Sequence, residues 1–255
     1  MARNLPRTVS VISTRRLTPN MIRITLGGDE LAGFPPDQES GYVKLHFPAQ
    51  KQGIFTFRSS RKARLRTYTI RNFNPVAREL EVDFVVHGDN GPASAWALRA
   101  KPGDTIGLTG PGGKKLVDMS ADWYFIVGDM TALPAISVNL EQMPGDARGY
   151  AVLEVIQEDD CQPLDAPAGI EIHWVVNPHP DRPNSVLADA VRTLPWLDGA
   201  ANVWLATEFA TMRSLRSYFK QERGVNRGEI YASSYWKMGD TDEGNKRAKR
   251  NDPGH

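Results

Sequence analysis

The feature that most constrains this chain is a change of hydrophobic period near Asp122. Before it, single apolar residues recur at every second position. Ile22, Ile24 and Leu26 interleave with Met21, Arg23 and Thr25. Val43, Leu45 and Phe47 interleave with Tyr42, Lys44 and His46, and Leu80, Val82, Phe84 and Val86 with Glu81, Asp83 and Val85. A period of two with one polar face predicts antiparallel strands buried on one side, as in a sandwich or small barrel. After Asp122 come the continuous apolar runs Trp123–Val127, Tyr150–Ile156, Ile170–Val176 and Asn202–Ala206, and the mixed run Glu229–Tyr235. Helical spacing falls between them, at Thr131–Met143, Ser185–Leu194 and Glu208–Arg223. Strands that alternate with helices predict a mostly parallel sheet covered on both faces. The expected fold is therefore β followed by α/β: an antiparallel β-barrel over residues 1–118, then a parallel-sheet α/β domain over 119–240. Residues 241–255 read as a polar, unpatterned tail. There is no internal repeat.

The 255 residues fit one large domain or two small ones. Lys plus Arg number 31 against 30 Asp plus Glu, a formal charge of +1, so no global basic field exists to hold nucleic acid. The one cysteine, Cys161, excludes an intramolecular disulfide, a Cys-ligated zinc site and a protein-bound iron–sulfur cluster. Met1–Arg7 lacks the apolar stretch of a secretory signal, and no apolar run approaches the ~20 residues that span a bilayer. A cytoplasmic location without nucleic acid, membrane or bound metal is the expectation.

Two segments stand out chemically. In Arg64–Arg71 a strand places Arg66, Tyr68 and Ile70 on one face and Thr67, Thr69 and Arg71 on the other. A guanidinium fork suits a pyrophosphate, and a tyrosine ring offers a flat surface and a hydroxyl. The same residues also suit an ordinary solvent-facing strand. In His87–Trp96 a Gly-rich turn, with Gly91 and Pro92 opening a short helix, presents unpaired N–H groups to which Ser94 adds a hydroxyl. Asp89–Gly91 alone reads equally as a plain turn.

Taken together these residues resemble the siderophore-interacting proteins, flavin-dependent ferric-siderophore reductases of the ferredoxin-reductase-like superfamily. Arg66-x-Tyr68-Thr69-x-Arg71 is similar to that family's flavin signature. His87-Gly88 with Gly91-Pro92-Ala93-Ser94 and Trp96-Ala97 is similar to its second block. Gly110–Gly113 resembles its barrel-closing loop, and Gly128-Asp129-x-Thr131-Ala132-Leu133-Pro134-Ala135-Ile136 the start of its nicotinamide half. Trp204-x-Ala206-x-Glu208 and Tyr235-Trp236-Lys237-x-Gly239 resemble two late blocks. Met130 stands where the family commonly has an acidic residue, and Thr207 where it commonly has glycine.

The resemblance implies an FAD-binding first domain and an NAD(P)H-binding second domain in a cytoplasmic flavoprotein of iron acquisition. Its reaction is reduction of a siderophore's chelated Fe3+ to Fe2+, with the hard chemistry borne by the flavin and no protein catalytic residue. Arg66, Tyr68, Thr69, Arg71, His87, Gly88, Pro92, Ala93 and Ser94 are the implied FAD contacts. Thr131, Ala132, Glu208, Tyr235 and Trp236 complete the cofactor set, with Glu208 equally readable as a helix cap. Lys44, Lys114, Lys115 and Lys237 are the implied contacts to an anionic ferric siderophore, or else solvated surface charges. The stripe Arg213, Arg216, Lys220 and Arg223 reads as a solvated helix face, with a cofactor 2′-phosphate as the other reading. Lys246–Arg250 reads as solvated tail or as an extra terminal helix of the kind some family members carry. Two other functions remain open at this level: a flavin reductase that exchanges electrons with a ferredoxin-like carrier, and a binding protein for flavin or siderophore without turnover.

Overall fold

The computed structural model describes residues 5–47, 64–86 and 91–254. The chain divides into two compact units, Met1–Lys114 and Lys115–His255, four residues earlier than the expected boundary.

The first unit contains β1 (Arg7–Thr18), β2 (Met21–Gly27), β3 (Tyr42–Phe47), β4 (Arg64–Thr69), β5 (Asn72–Asn74), β6 (Glu79–Val85), the short helix α1 (Pro92–Ala97) and β7 (Thr105–Gly112). The strands form one antiparallel sheet in the order β4-β3-β7-β1-β2-β6-β5. Its ladder does not close, since β4 and β5 are its ends, but the sheet curls until Tyr68 of β4 meets Phe84 of β6, ring centroids 4.4 Å apart. The period-two residues line the inside: Ile24, Leu26, Val43, Leu45, Leu80, Val82 and Phe84 are fully buried. Asp83 lies in the same ladder yet is buried too. Arg23, its cross-strand partner, grips both of its carboxylate oxygens at 2.7 and 2.8 Å, which makes the burial tolerable.

The second unit runs β8 (Trp123–Gly128), α2 (Leu133–Gln142), β9 (Arg148–Val155), β10 (Gly169–Val176), α3 (Val186–Thr193), β11 (Ala201–Glu208), α4 (Phe209–Ser217), β12 (Ile230–Trp236) and α5 (Asp242–Arg250). All four ladders of its sheet are parallel, in the order β10-β9-β8-β11-β12. The strand order reverses between β8 and β11, which is where an open α/β sheet leaves a crevice at its carboxyl edge. Trp123, Phe125 and Val127 pack with residues of α3 and α4 on one face. On the other face α2 comes so close that a Cβ on Gly128 would lie 2.4 Å from Ile136 Cδ1 and 3.0 Å from Ala132 Cβ. Glycine at that position sets the helix against the strand.

The carboxy-terminal residues are not an unpatterned tail. Thr241 caps α5 by accepting the Gly244 N–H, acidic Asp242 and Glu243 open the helix, and Arg247, Lys249 and Arg250 close it, in the sense the helix dipole favours. Asn245 is buried against Ser234 of β12, and Lys249 Nζ donates to Ser233 Oγ at 2.8 Å. Beyond the helix, Asp252 takes a two-pronged bond from Arg216 of α4 at 2.7 and 2.9 Å. Arg216 is therefore a buried latch and not a solvated charge. Arg223 is likewise engaged, donating to the Tyr218 hydroxyl at 2.7 Å beside the Trp196 ring.

The Arg216 guanidinium holds the Asp252 carboxyl below the usual aspartate range. A carboxyl so depressed contributes stability above its unfolded pKa, ~3.9, and loses it as pH falls through the native value. Asp252→Asn is accordingly expected to lower the local opening free energy of α5 by about 1.5 kcal/mol, the low end for hydrogen bonds to charged groups. Amide hydrogen exchange across 242–252 measures this. The wild type should loosen in the same segment below about pH 4, whereas the variant's exchange should no longer respond to pH there.

Candidate functional site

In the first unit the expected flavin segment is β4. Its register against β3 pairs Leu45 with Arg66 and Val43 with Tyr68, so both residues share the face of the barrel's core. Tyr68 is half-buried, with Phe84 under its ring, and Trp96 of α1 completes an aromatic group with Phe84 and Phe47, each 5.7 Å away. The half-buried Arg66 donates to the Leu65 carbonyl at 2.9 Å and has no carboxylate partner among the described residues. Thr69 is half-buried at the end of β4, opposite Tyr42, and Arg71 follows Ile70, its N–H bonded to the Glu81 carbonyl. Helix α1 opens with Pro92 behind the extended residue Gly91, and no side chain caps its first turn. Ser94 is buried there at 4% exposure. The Ala93 methyl belongs to the core cluster. His87 and Gly88 lie outside the described residues.

Lys44 points to the opposite face of the same strands, between Thr67 of β4 and Thr109 of β7. On that face the Tyr42 ring lies over Gly112, where a Cβ would fall 2.0 Å from the ring. Lys114 is half-buried at the end of this unit.

In the second unit two buried carboxylates flank the point where the strand order reverses. Asp129 follows β8 and Glu208 ends β11. Asp129 Oδ1 accepts the Thr131 N–H at 2.9 Å and its hydroxyl at 2.5 Å, while Oδ2 accepts Trp236 Nε1 at 2.8 Å. Burial pushes this carboxyl up, and the Thr131 and Trp236 bonds hold it down. Glu208 resolves its two readings in favour of the cap. Its Oε2 accepts the Ala210 and Thr211 N–H groups at 2.5 and 3.2 Å, and Oε1 accepts the Met238 N–H at 3.1 Å. Ala132 is fully buried, and its N–H is engaged by the Asp129 carbonyl.

Tyr235 meets the Tyr231 hydroxyl, with the Trp204 ring 6.3 Å away. Lys115 is exposed, its ammonium 5.7 Å from the Tyr231 ring centroid, and its carbonyl accepts Trp204 Nε1 at 2.8 Å. Lys237 is less available than expected, since it pairs with Asp240 at 3.1 Å and lies 5.9 Å from the Phe209 centroid.

Both units match one family. Residues 10–115 match the siderophore-interacting FAD-binding domain, and residues 121–239 match the siderophore-interacting protein family itself. The chain belongs to the siderophore-interacting protein family. It is 36% identical over 249 residues to a ferric vibriobactin reductase of Vibrio cholerae, covering 93% of this chain and 92% of that one. The siderophore-interacting protein SipS of Aeromonas hydrophila superposes with a TM-score of 0.84 at 35% identity, covering 97% of each chain. A ferredoxin-NADP+ reductase of Plasmodium falciparum, 18% identical, shares the fold at a TM-score of 0.64, covering 92% of this chain and 98% of that one.

The residues of the FAD-binding half fit that group. A half-buried guanidinium without a carboxylate partner among the described residues suits a diphosphate, and the half-exposed Tyr68 ring suits a planar heterocycle. No side chain caps the first turn of α1.

The siderophore-interacting fold also gathers groups that the motifs did not flag. Glu154, near the carboxyl end of β9, faces Asp129, and burial pushes it up to about 7; the Asp129 charge adds to the rise, and the Asn177 amide opposes it. The signal available in the sequence was a lone acid inside the apolar run Tyr150–Ile156. Asp129 itself was legible as Asp-x-Thr, a side chain that folds back on the N–H two residues on. A carboxyl raised from 4.5 to about 7 binds its proton more tightly when folded, so stability falls as pH rises between those values and is level above them. Glu154→Gln should therefore raise the melting temperature at pH 8, leave it unchanged at pH 4.5, and flatten the curve between. Thermal melts of both proteins at matched ionic strength test this.

Proposed function

We propose that this chain is a cytoplasmic, NAD(P)H-dependent, FAD-containing reductase that reduces the Fe3+ of a ferric siderophore to Fe2+ and so releases the iron. The observation that carries the reading is the 36% identity to a ferric vibriobactin reductase across 93% of the chain, which spans both units. Bound FAD supplies the conversion between two-electron hydride donation by a nicotinamide and one-electron reduction of iron. The protein's work is then binding and orientation, which agrees with a site built from an arginine, aromatic rings and capped turns. Arg66 neutralises the cofactor's diphosphate, and Tyr68 gives its ring system an apolar wall. Thr69, Arg71, Pro92 and Ser94 add further contacts, and His87 and Gly88, outside the described residues, belong to the same proposed set. At the carboxyl edge of the second sheet, Thr131, Tyr235 and Trp236 receive the nicotinamide cofactor. Asp129 fixes Trp236 and Thr131 and touches no ligand itself, and Glu208 sets the start of α4. Lys44, Lys114, Lys115 and Lys237 draw in the anionic iron complex, with Lys44 first by the resemblance and Lys237 weakened by its pair with Asp240. Divalent iron binds hard oxygen ligands less tightly than trivalent iron, so reduction loosens the chelate.

Anaerobic visible absorbance of the FAD-loaded protein tests the path. Flavin bands should bleach with NADH or NADPH and return on adding a ferric siderophore. Bands that bleach only with a reduced ferredoxin would make a protein carrier the donor, and bands that no donor bleaches would leave a binding protein. Arg66→Ala should lower FAD retention at least tenfold, an effect read by equilibrium dialysis. Lys44→Ala should keep its flavin and raise KM for the anionic complex several-fold.

A further inference from the structure

The basic stripe on α4 is not absorbed by the reductase reading. Three of its residues, Arg213, Arg216 and Lys220, line a groove of about 410 Å3 that runs from the second turn of α4 onward to the segment after α5. Pockets that hold small ligands begin at ~300 Å3. The floor is the Arg216–Asp252 pair, and the walls are Arg213 and Lys220, with the hydroxyls of Ser214 and Ser217 between them. Among the described residues three cations thus face one carboxylate, leaving two net positive charges over the groove.

These cations are placed before any ligand arrives. Arg213 lies over the Phe209 ring at 5.8 Å, and its Nε is 3.5 Å from Asp252, although the side chain remains 53% exposed. Arg216 is locked in its two-pronged bond, with Gly254 packed so closely that a Cβ there would lie 2.5 Å from its Nη2. Lys220 is half-buried and forms no ion pair among the described residues. A further cation, Arg192 of α3, donates to Ser214 Oγ at 3.1 Å and holds that hydroxyl at the rim. Cations fixed by rings and neighbours lose little freedom on binding, so their field is available to an anion at low entropic cost. Charge, size and the guanidinium fork agree on one class of ligand.

We propose that this groove is a binding site for a phosphorylated small molecule, a phosphate ester or diphosphate carrying two negative charges, separate from the carboxyl edge of the sheet. Arg213 and Lys220 grip the phosphate oxygens, while the Ser217 hydroxyl stays donated to Gln221 Oε1 at 3.0 Å. The ligand bridges α4 and the Asp252–Gly254 segment, so its occupancy fastens the carboxy-terminal segment to the second unit.

The test is calorimetric titration of the FAD-loaded, full-length protein with inorganic phosphate and with pyrophosphate. Ionic strength is fixed, and both NAD+ and NADP+ are present in excess so that the nucleotide position is filled. Saturable one-to-one binding is expected, weakened at least tenfold in Arg213→Gln/Lys220→Gln and several-fold in Lys220→Gln alone, and unchanged in Lys101→Gln. Pyrophosphate should also slow amide exchange across 242–254. Heat absent in the wild type, binding indifferent to Arg213 and Lys220, equal weakening by Lys101→Gln, or loss of binding when the nucleotides are added would each overturn the site. The titration does not depend on turnover, so a protein that fails to reduce iron would still reveal whether this groove holds phosphate.

Discussion

The second unit depends on a buried negative charge that is held by donors from two directions. Asp129 sits at the end of the central strand β8, where the sheet's order reverses. Its carboxylate gathers the first turn toward α2 through Thr131 and the end of the edge strand β12 through Trp236. Glu208 does the same for β11, joining the start of α4 to the residue after Lys237. An unpaired carboxylate at this depth would cost several kcal/mol, so the donors and the acids fix one another. The loops at the carboxyl edge of the sheet are positioned by these two acids, which are themselves occupied by protein donors.

The first unit follows a complementary logic. Its core face is built from apolar residues, and the buried Asp83, on the opposite face of β6, is paired at once by Arg23. Arg66 has no such partner among the described residues, and it stands on the core-facing side of β4, as Tyr68 does. Two arginines in strands of one sheet thus have opposite meanings. One completes the fold, and the other leaves positive charge available to a cofactor.

Much of this was readable from residue order alone. The period-two segments became β2, β3 and β6 within a residue or two, and the apolar runs became the five parallel strands, because burial on one or both faces leaves a direct trace in composition. The basic stripe read as a solvated face does not survive at Arg216, since only folding brings Asp252 to it. The carboxy-terminal helix is hard to read for a related reason. Asp242–Arg250 has no apolar stripe, and it is held by Asn245, Lys249 and Asp252 through polar contacts that no periodicity announces. Glu208 was equally readable as a cap or a ligand until α4 supplied the N–H groups that it accepts.

The proton on Glu154 has a further consequence, in the arithmetic of charge. The chain's formal charge of +1 counts every glutamate as ionised. A carboxyl that titrates at about 7 is half-protonated near neutrality, so the folded molecule lies between +1 and +2 while the unfolded chain does not. A protein this close to electrical balance changes its mobility in a field, and its tendency to meet copies of itself, through one buried side chain. The sequence tally of acids and bases therefore describes the denatured polymer better than the native one.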